Sequence, residues 1–449
     1  MDTEVNQKKL LDKVKKYINN NSSCPFSDLS SYMFLGIWDH SPGWSMIKLL
    51  EKGWIFLPKF FFIFLKSFLA TGFFKKYYLT GNAHINSKYK TLVLSWSFKQ
   101  NFEKDGSFND RYLKENSKNH KEILWVLVSI DNFTPKNLKD NILFINKKNN
   151  GLFFYIVFLI KNFFSKLRLS KFSIKKLFHI LPNQSLQAEK LQEIILNNID
   201  IKNFSNILIP YEGQPFQNLL ISKIKKISKN IKTIGYVHAM LPSFPSNYIY
   251  RKGSPDILLV HGVSQKEILK NDLEWPDHKL KEIESLRYRE ELTYDLSNKI
   301  FVPFGLFEEQ IILKKFSFFL NNSADNSLPI FEILNHPTKN TSIKHINFIK
   351  KLNNILKKNE KKFNKNSNKK MSVCFGWTAA IIEAMERDID IVHICSDIVL
   401  ESFNSEMWKN FNIKKIDDYI YIYNLKTLGS YIKFGTKKNL LKESLEDIQ

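Results

Sequence analysis

Hydrophobic positions change their spacing along the chain, and the changes predict its elements. From Lys8 to Asn19 apolar residues recur among lysines at helical spacing. Trp54 to Phe74 is almost wholly apolar, interrupted by Pro58, Lys59 and Lys66. Lys52, Lys59 and Lys66 stand seven residues apart, so on a helix they form one narrow polar stripe opposite a broad Phe/Leu/Ile face. A second run, Leu152 to Ile160, has nine apolar residues and is followed by Lys161, Lys166, Arg168 and Lys171. A spanning helix needs about 20 apolar residues without central charges, so neither run is expected to cross a bilayer. Such segments are either buried helices of a large domain or helices lying in a bilayer interface.

Beyond these, short apolar runs rich in β-branched residues alternate with Lys-rich helical stretches. The predicted strands are Thr91–Ser97, Ile123–Ile130, Asn141–Asn146, Asn206–Tyr211, Thr233–His238 and Asp256–His261. A second series follows at Lys299–Gly305, Leu328–Asn335, Ser372–Phe375, Asp390–Cys395 and Tyr419–Tyr423. Most are continuous rather than alternating, as parallel strands covered on both faces must be. Two strand–helix series imply an α/β protein of two Rossmann-like, doubly wound parallel-sheet domains. The expected layout is a helical, membrane-associating or buried extension over 1–85 and a first domain over 86–262. A polar hinge over 263–298, a second domain over 299–436 and a charged tail over 437–449 complete it. Lys357–Lys370, rich in Lys and Asn, reads as a solvated loop.

Length agrees with this plan, since 449 residues exceed what one hydrophobic core usually holds. Charge complicates it: 67 Lys+Arg against 44 Asp+Glu leave a formal net charge of +23, which invites a nucleic-acid partner. Yet only six of the basic residues are arginine: Arg111, Arg168, Arg251, Arg287, Arg289 and Arg387. Phosphate and base readers lean on the bidentate guanidinium, so no nucleic acid is expected. The lysines are what an AT-rich codon bias and solubility would impose, with anionic ligands or membrane surface as their partners. Cys24, Cys374 and Cys395 are too few and too far apart for a disulfide framework or a zinc site. No signal peptide is expected, and a cytoplasmic setting fits.

In open parallel sheets ligands bind beyond the carboxyl ends of the strands, which singles out a few polar residues. Leu328–Asn335 is followed by His336-Pro337-Thr338-Lys339, where a His fixed by Pro can donate to a phosphate oxygen or simply cap a turn. Phe375-Gly376-Trp377-Thr378 leads into a helical stretch with Glu383. Gly376, Thr378 and the helix start suit an anion, and Glu383 suits ribose hydroxyls; a plain N-cap with a surface Glu is the alternative. Gly305 ends the first strand of the second series and would admit backbone close to a ligand. Arg287, in Ser285-Leu286-Arg287-Tyr288, could reach phosphate. In the first series Glu212 and His238 follow adjacent strands and can face one cleft, as bases toward an acceptor hydroxyl. The loop holding Asp105 and Asp110-Arg111-Tyr112 offers further carboxylates. No GxGxxG, P-loop, nucleophile elbow, HExxH or EF-hand occurs, and no metal site is expected.

The order of these segments carries a resemblance. Glu212-Gly213-Gln214-Pro215-Phe216, Gly235-Tyr236-Val237-His238, Asp256–Gly262 and Ser285-Leu286-Arg287-Tyr288 come first. His336-Pro337, Gly376-Trp377-Thr378-Ala379 and Glu383-Ala384-Met385 follow. This set resembles the GT-B-type surface-carbohydrate biosynthesis proteins of bacteria, similar in architecture to Kdo transferases and bacterial sialyltransferases. The likeness covers about residues 90 to 400 and leaves the N-terminal segment unexplained. It implies a metal-independent glycosyltransferase with the acceptor on the first domain and a nucleotide-sugar, as co-substrate rather than cofactor, on the second. His336, Pro337, Gly376, Thr378, Glu383, Gly305 and Arg287 would then bind the donor, and Glu212, His238 or Asp105 would act as base. Trp377 departs from the small residues usual at its position. A lipid-linked or surface-polysaccharide acceptor would explain apolar helices at the inner face of the cytoplasmic membrane. A CDP-polyol phosphotransferase or a nucleotide-sugar epimerase on the same fold, and a non-catalytic RNA- or membrane-binding scaffold, are the alternatives.

Overall fold

The computed structural model of the chain describes residues 3–31, 41–73, 76–81, 89–131, 133–148, 152–290, 295–303, 305, 308–336, 342–436 and 440–446. Helices α1 (Thr3–Asn20), α2 (Asp28–Ser31), α3 (Pro42–Lys52) and α4 (Leu57–Ala70) come first, α3 and α4 joined by a 3-10 turn at Gly53–Phe56. Then follow β1 (Lys76–Thr80), β2 (Thr91–Ser97), β3 (Ile123–Ser129), β4 (Ile142–Lys148), α5 (Leu152–Leu169), α6 (Ile174–Ile180) and α7 (Asn183–Asn198). The first half closes with β5 (Asn206–Pro210), α8 (Pro215–Ile227), β6 (Lys232–Tyr236), β7 (Ile257–Val260), α9 (Val263–Asn271) and β8 (Leu280–Glu282). The second half begins with β9 (Lys299–Val302), α10 (Glu309–Asn322), β10 (Leu328–Pro329), β11 (Glu332–Asn335), α11 (Ile343–Lys358) and β12 (Phe363–Asn364). It ends with β13 (Met371–Phe375), α12 (Ala380–Met385), β14 (Asp390–Ile394), α13 (Ile398–Glu401), β15 (Phe411–Asp417), β16 (Ile420–Leu425) and α14 (Leu440–Glu446).

Two parallel-dominated sheets result, as the continuous apolar runs predict. The first has the order β1-β4-β3-β2-β5-β6-β7-β8, parallel throughout except β1. Its order reverses between β2 and β5, which opens a crevice at their carboxyl ends. All seven residues of β3 are buried, because helices cover one face and a loop layer covers the other. That loop layer departs from expectation. The β2–β3 and β3–β4 connections carry no long helix; Phe102, Phe108 and Phe133 pack there instead, with Leu441 and Leu445 of α14. The segment 437–449, expected as a charged tail, thus puts a helix into the first core.

The second sheet has the order β11-β9-β13-β14-β16-β15. Strands β11, β9, β13 and β14 are parallel, and β16 and β15 close the edge as an antiparallel hairpin. Two strand expectations need correcting here. Leu328–Asn335 is not one strand: β10 pairs with β12 apart from the main sheet, and β11 joins β9. Pro329 lacks the N–H that an uninterrupted strand would use. Tyr419–Tyr423 lies in an antiparallel strand, because the turn after β15 is too short for a parallel crossover.

The expected hinge over 263–298 is likewise no free linker. It contains α9 and β8, and β8 pairs with β7 inside the first sheet. Nor is the N-terminal segment an appendage. Leu10, Leu11, Val14, Met46 and Ile47 belong to one core that also holds Tyr211, Cys374, Trp408 and Ile432 from both halves. Gln7 Nε2 donates to Val399 O and Ser402 O, each at 2.7 Å, and Asn404 Nδ2 donates to Gln7 Oε1 at 2.6 Å. The first helix therefore grips the second domain, while the chain past β16 returns to the first. Lys433 N donates to His261 O at 2.7 Å and Gly435 N to Tyr288 O at 2.9 Å.

Candidate functional site

The crevice at β2 and β5 is where polar side chains collect. Glu212 follows β5 on a loop held by the first turn of α8. Gln217 Oε1 accepts from Glu212 N at 3.0 Å and from Gln214 N at 3.1 Å, and its Nε2 donates to Pro210 O at 2.7 Å. Gly213 sits at φ +70° with the Asn247 carbonyl 2.1 Å from where a Cβ would stand, so only glycine fits that turn. Beside it, His238 follows β6. Its Nε2 lies 3.2 Å from Glu212 Oε1, and Gln214 Nε2 donates to the other carboxylate oxygen at 2.5 Å. Burial opposes ionisation of Glu212. The hydrogen bonds from His238 and Gln214, with the charges of His238 and Arg287, outweigh it and hold the carboxyl below its ordinary value.

The other imidazole nitrogen, Nδ1, is buried and meets no hydrogen-bond partner among the described residues. The Tyr112 ring stands edge-on to it with centroids 4.5 Å apart. Asp110, from the same loop after β2, accepts from Tyr112 N and Leu113 N at 2.7 Å each. Burial pushes its carboxyl up, against its hydrogen bonds and the charge of His238. Arg287 completes the wall: its backbone is fixed by the Tyr236 hydroxyl at 3.1 Å and its Nη1 donates to His238 O at 3.2 Å. His261, buried between Tyr236 and Tyr288, stays neutral, since burial and the nearby charges of His238 and Arg287 push it down to about 3.

The second domain adds Glu383 from α12. Burial raises its carboxyl, opposed by the positive charges of Arg287, Arg387 and Lys114, so side chains of both sheets meet electrostatically at this place. Lys114 is pushed down by desolvation and by the like charges of Arg287 and Arg111. Gly376 sits at φ +58° with its carbonyl accepting from His393 Nε2 at 2.8 Å. Buried Glu401 packs behind it, 3.5 Å from where a Cβ would lie. The Thr378 hydroxyl faces Ala380 N at 3.4 Å. Helix α12 has only six residues, so its macrodipole is that of a turn and a half and a weaker anion attractor than the sequence suggested. Trp377 packs half-buried against the shared core.

The structure thus gathers Glu212, His238, Arg287 and Glu383, and sets Gly376 and Thr378 on the loop before Glu383. It does not gather the rest. Asp105 lies exposed in its own turn, held by Ser107 N and Oγ at 3.0 and 2.7 Å and by Lys139 at 3.2 Å. Those bonds, from Ser107 first, hold its carboxyl far below the usual range and make it a poor base. His336 is exposed at the end of the edge strand β11, its backbone N–H on Val302 O at 3.1 Å. Pro337, Thr338 and Lys339 lie outside the described residues, and Gly305 is half-buried just past β9. Sequence reasoning missed Gln217, Tyr112 as a ring against His238, Lys114 and Glu401; none belongs to a spaced motif. Among the described residues no group of three or more His, Cys, Asp or Glu is placed to hold a metal ion. No protein-family model matches the chain, and no curated protein does.

Proposed function

We propose that the protein is a glycosyltransferase of GT-B type, moving a sugar from a nucleotide-sugar to a glycan hydroxyl. The observation that carries the proposal is the convergence of the Glu212–His238 pair and Arg287 with Glu383 of the other domain. The strand order of the first sheet, which reverses at this crevice, supports it as well. Glu212 accepts from His238 Nε2, so the imidazole presents Nδ1 as its basic nitrogen. The acceptor hydroxyl loses its proton to that nitrogen as its oxygen bonds the anomeric carbon. The bond from that carbon to the phosphate oxygen breaks, and the nucleotide leaves with the electron pair. Arg287 and Lys114 meet the charge that develops on the phosphate, while Glu383 suits the hydroxyls of ribose. Tyr112, over the imidazole, gates entry of the acceptor.

A thermal-shift screen of the full chain against CMP, UDP, GDP and their sugars tests this. One nucleotide should raise the melting temperature, and Arg287→Ala or Glu383→Ala should abolish the shift. His336→Ala asks whether the exposed histidine takes part. If no nucleotide stabilises the wild type, the donor assignment fails.

A further inference from the structure

We propose that α4 and α5 form one docking face by which the protein lies on a bilayer of anionic lipid. Pro42–Ala70 is a helical stretch long and apolar enough to cross a membrane by length and composition, but its first half is committed elsewhere. Met46 and Ile47 of α3 are buried in the shared core, and Lys48 pairs with Glu51 at 2.6 Å and with Asp397 of the second domain. Only the 3-10 turn and the outer side of α4 remain free. There Trp54 is 83% exposed, Ile55 91% and Phe62 68%, while Phe60 and Ile63 of the same helix are buried inward. Helix α5 repeats the pattern, with Ile156 at 60% and Phe164 at 62% exposure and Asn162 and Lys166 turned in. The two helices touch: the Phe68 and Phe163 rings stand 5.9 Å apart, and the Tyr155 hydroxyl donates to Leu69 O at 3.1 Å. Their outer faces therefore make one apolar surface, and a contiguous exposed patch of this kind marks an interaction site.

Charge decides what covers it. From Lys52 to Lys76 and from Leu152 to Leu181 the sequence holds eleven Lys and Arg and no Asp or Glu. Lys59, Lys66, Lys161, Arg168 and Lys171 are exposed beside the apolar residues. A second copy of this face would bring like charges together, whereas anionic headgroups meet lysines around an apolar patch that enters the acyl boundary. Trp54 at the tip is the residue type that favours this boundary. The proposal is independent of the reaction assigned above.

Flotation of the full chain with phosphatidylcholine vesicles, with and without phosphatidylglycerol, tests it. Binding should require the anionic lipid and weaken at high salt. Lys59→Gln with Lys66→Gln should lower affinity about fivefold per charge removed. Phe62→Asp with Phe164→Asp should abolish flotation with an unchanged melting temperature, because both side chains point outward. Three results would overturn the proposal: no flotation of the wild type, flotation unaffected by these variants, or a wild-type dimer that Phe62→Asp dissociates.

Discussion

Glu401 sets the sharpest stability test, because its charge is held beside the candidate site. Its carboxylate accepts from Ser396 N at 2.6 Å, Ser396 Oγ at 2.9 Å and Asp397 N at 3.2 Å. Burial first, and then the Asp397 charge, push it up from 4.5 to about 7 despite those donors. A carboxyl raised in the folded state contributes stability that is fully present below pH 4.5 and is lost as pH rises through about 7. The loss is at most ~3 kcal/mol at 1.36 kcal/mol per pH unit. At ~1–2 °C per kcal/mol for a chain of this length, Glu401 alone should lower the melting temperature by roughly 3–6 °C between pH 5 and pH 8. Glu401→Gln keeps the shape: its amide oxygen takes the two backbone N–H groups and its NH₂ meets the Ser396 hydroxyl, which can turn to accept. Scanning calorimetry at pH 5, 6, 7 and 8 should show a gain of the variant over wild type that is small at pH 5, grows through pH 6 and levels off above pH 7. Asp28, pushed by burial from 3.8 to about 7, adds a slope of the same sign and His261, pushed down to about 3, one of the opposite sign, so Glu401 is read from the difference between the wild-type and variant profiles. Equal pH slopes for wild type and Glu401→Gln would refute the reasoning.

Three further outcomes are expected. Glu212→Gln should lower turnover by about 100-fold or more and shift the pH profile, with His238→Ala at least as severe; single-turnover assays on the donor found in the screen would show it. Arg251 is buried with no carboxylate partner among the described residues, and its guanidinium donates to the carbonyls of Ile249, Ser30, Ser246 and Asn247. Arg251→Met should destabilise by about 3 kcal/mol or more by leaving buried carbonyls unpaired, read by urea denaturation. Gln7→Ala should loosen α1 from the second domain, at about 1–3 kcal/mol, and faster amide exchange over 3–20 would report it.

Much of the fold was legible, and the physics says which parts. Strands buried on both faces leave continuous apolar runs, so β2 was read to the residue and β3 within one. Edge strands that are short or charged leave no such run. β15 carries the exposed Lys414 and Lys415, and β8 is three residues inside a polar segment, so both were invisible. Candidate chemistry followed a similar rule. Glu212, His238 and Glu383 could be found because they follow strands, and strand ends mark ligand sites in parallel sheets. Gln217, Tyr112 and Glu401 could not, since their importance comes from what they face across the fold. Asp105 and His336 show the converse: strong residue types in suggestive turns, one satisfied by its own loop and the other placed on an edge strand. Of the six arginines, Arg287 lines the crevice whereas Arg251 is purely structural, a distinction that burial and partners make and residue type does not.

The way the halves are tied also limits how the site can work. A hinge over 263–298 would let one domain rotate on the other, yet β8 inside that segment is a strand of the first sheet. Rotation there would break the Lys433–His261 and Gly435–Tyr288 backbone bonds and the grip of Gln7 on Val399 and Ser402. It would also part the Ser243 hydroxyl from Leu400 O, at 2.9 Å, and Trp408 Nε1 from Ser243 O, at 3.2 Å. The core shared by both domains would be exposed along with them, and apolar area opened to water costs about 25 cal/mol per Å². Loop and side-chain motions carry no such penalty. The Tyr112 ring against His238 and the Gly376–Thr378 turn beside Glu401 both border the candidate site, and neither belongs to the shared core except through Trp377 and its neighbours. Access to the crevice is therefore a matter of these two elements moving on a fixed pair of sheets, with α1 and the segment after β16 as the clamps that keep the pair fixed.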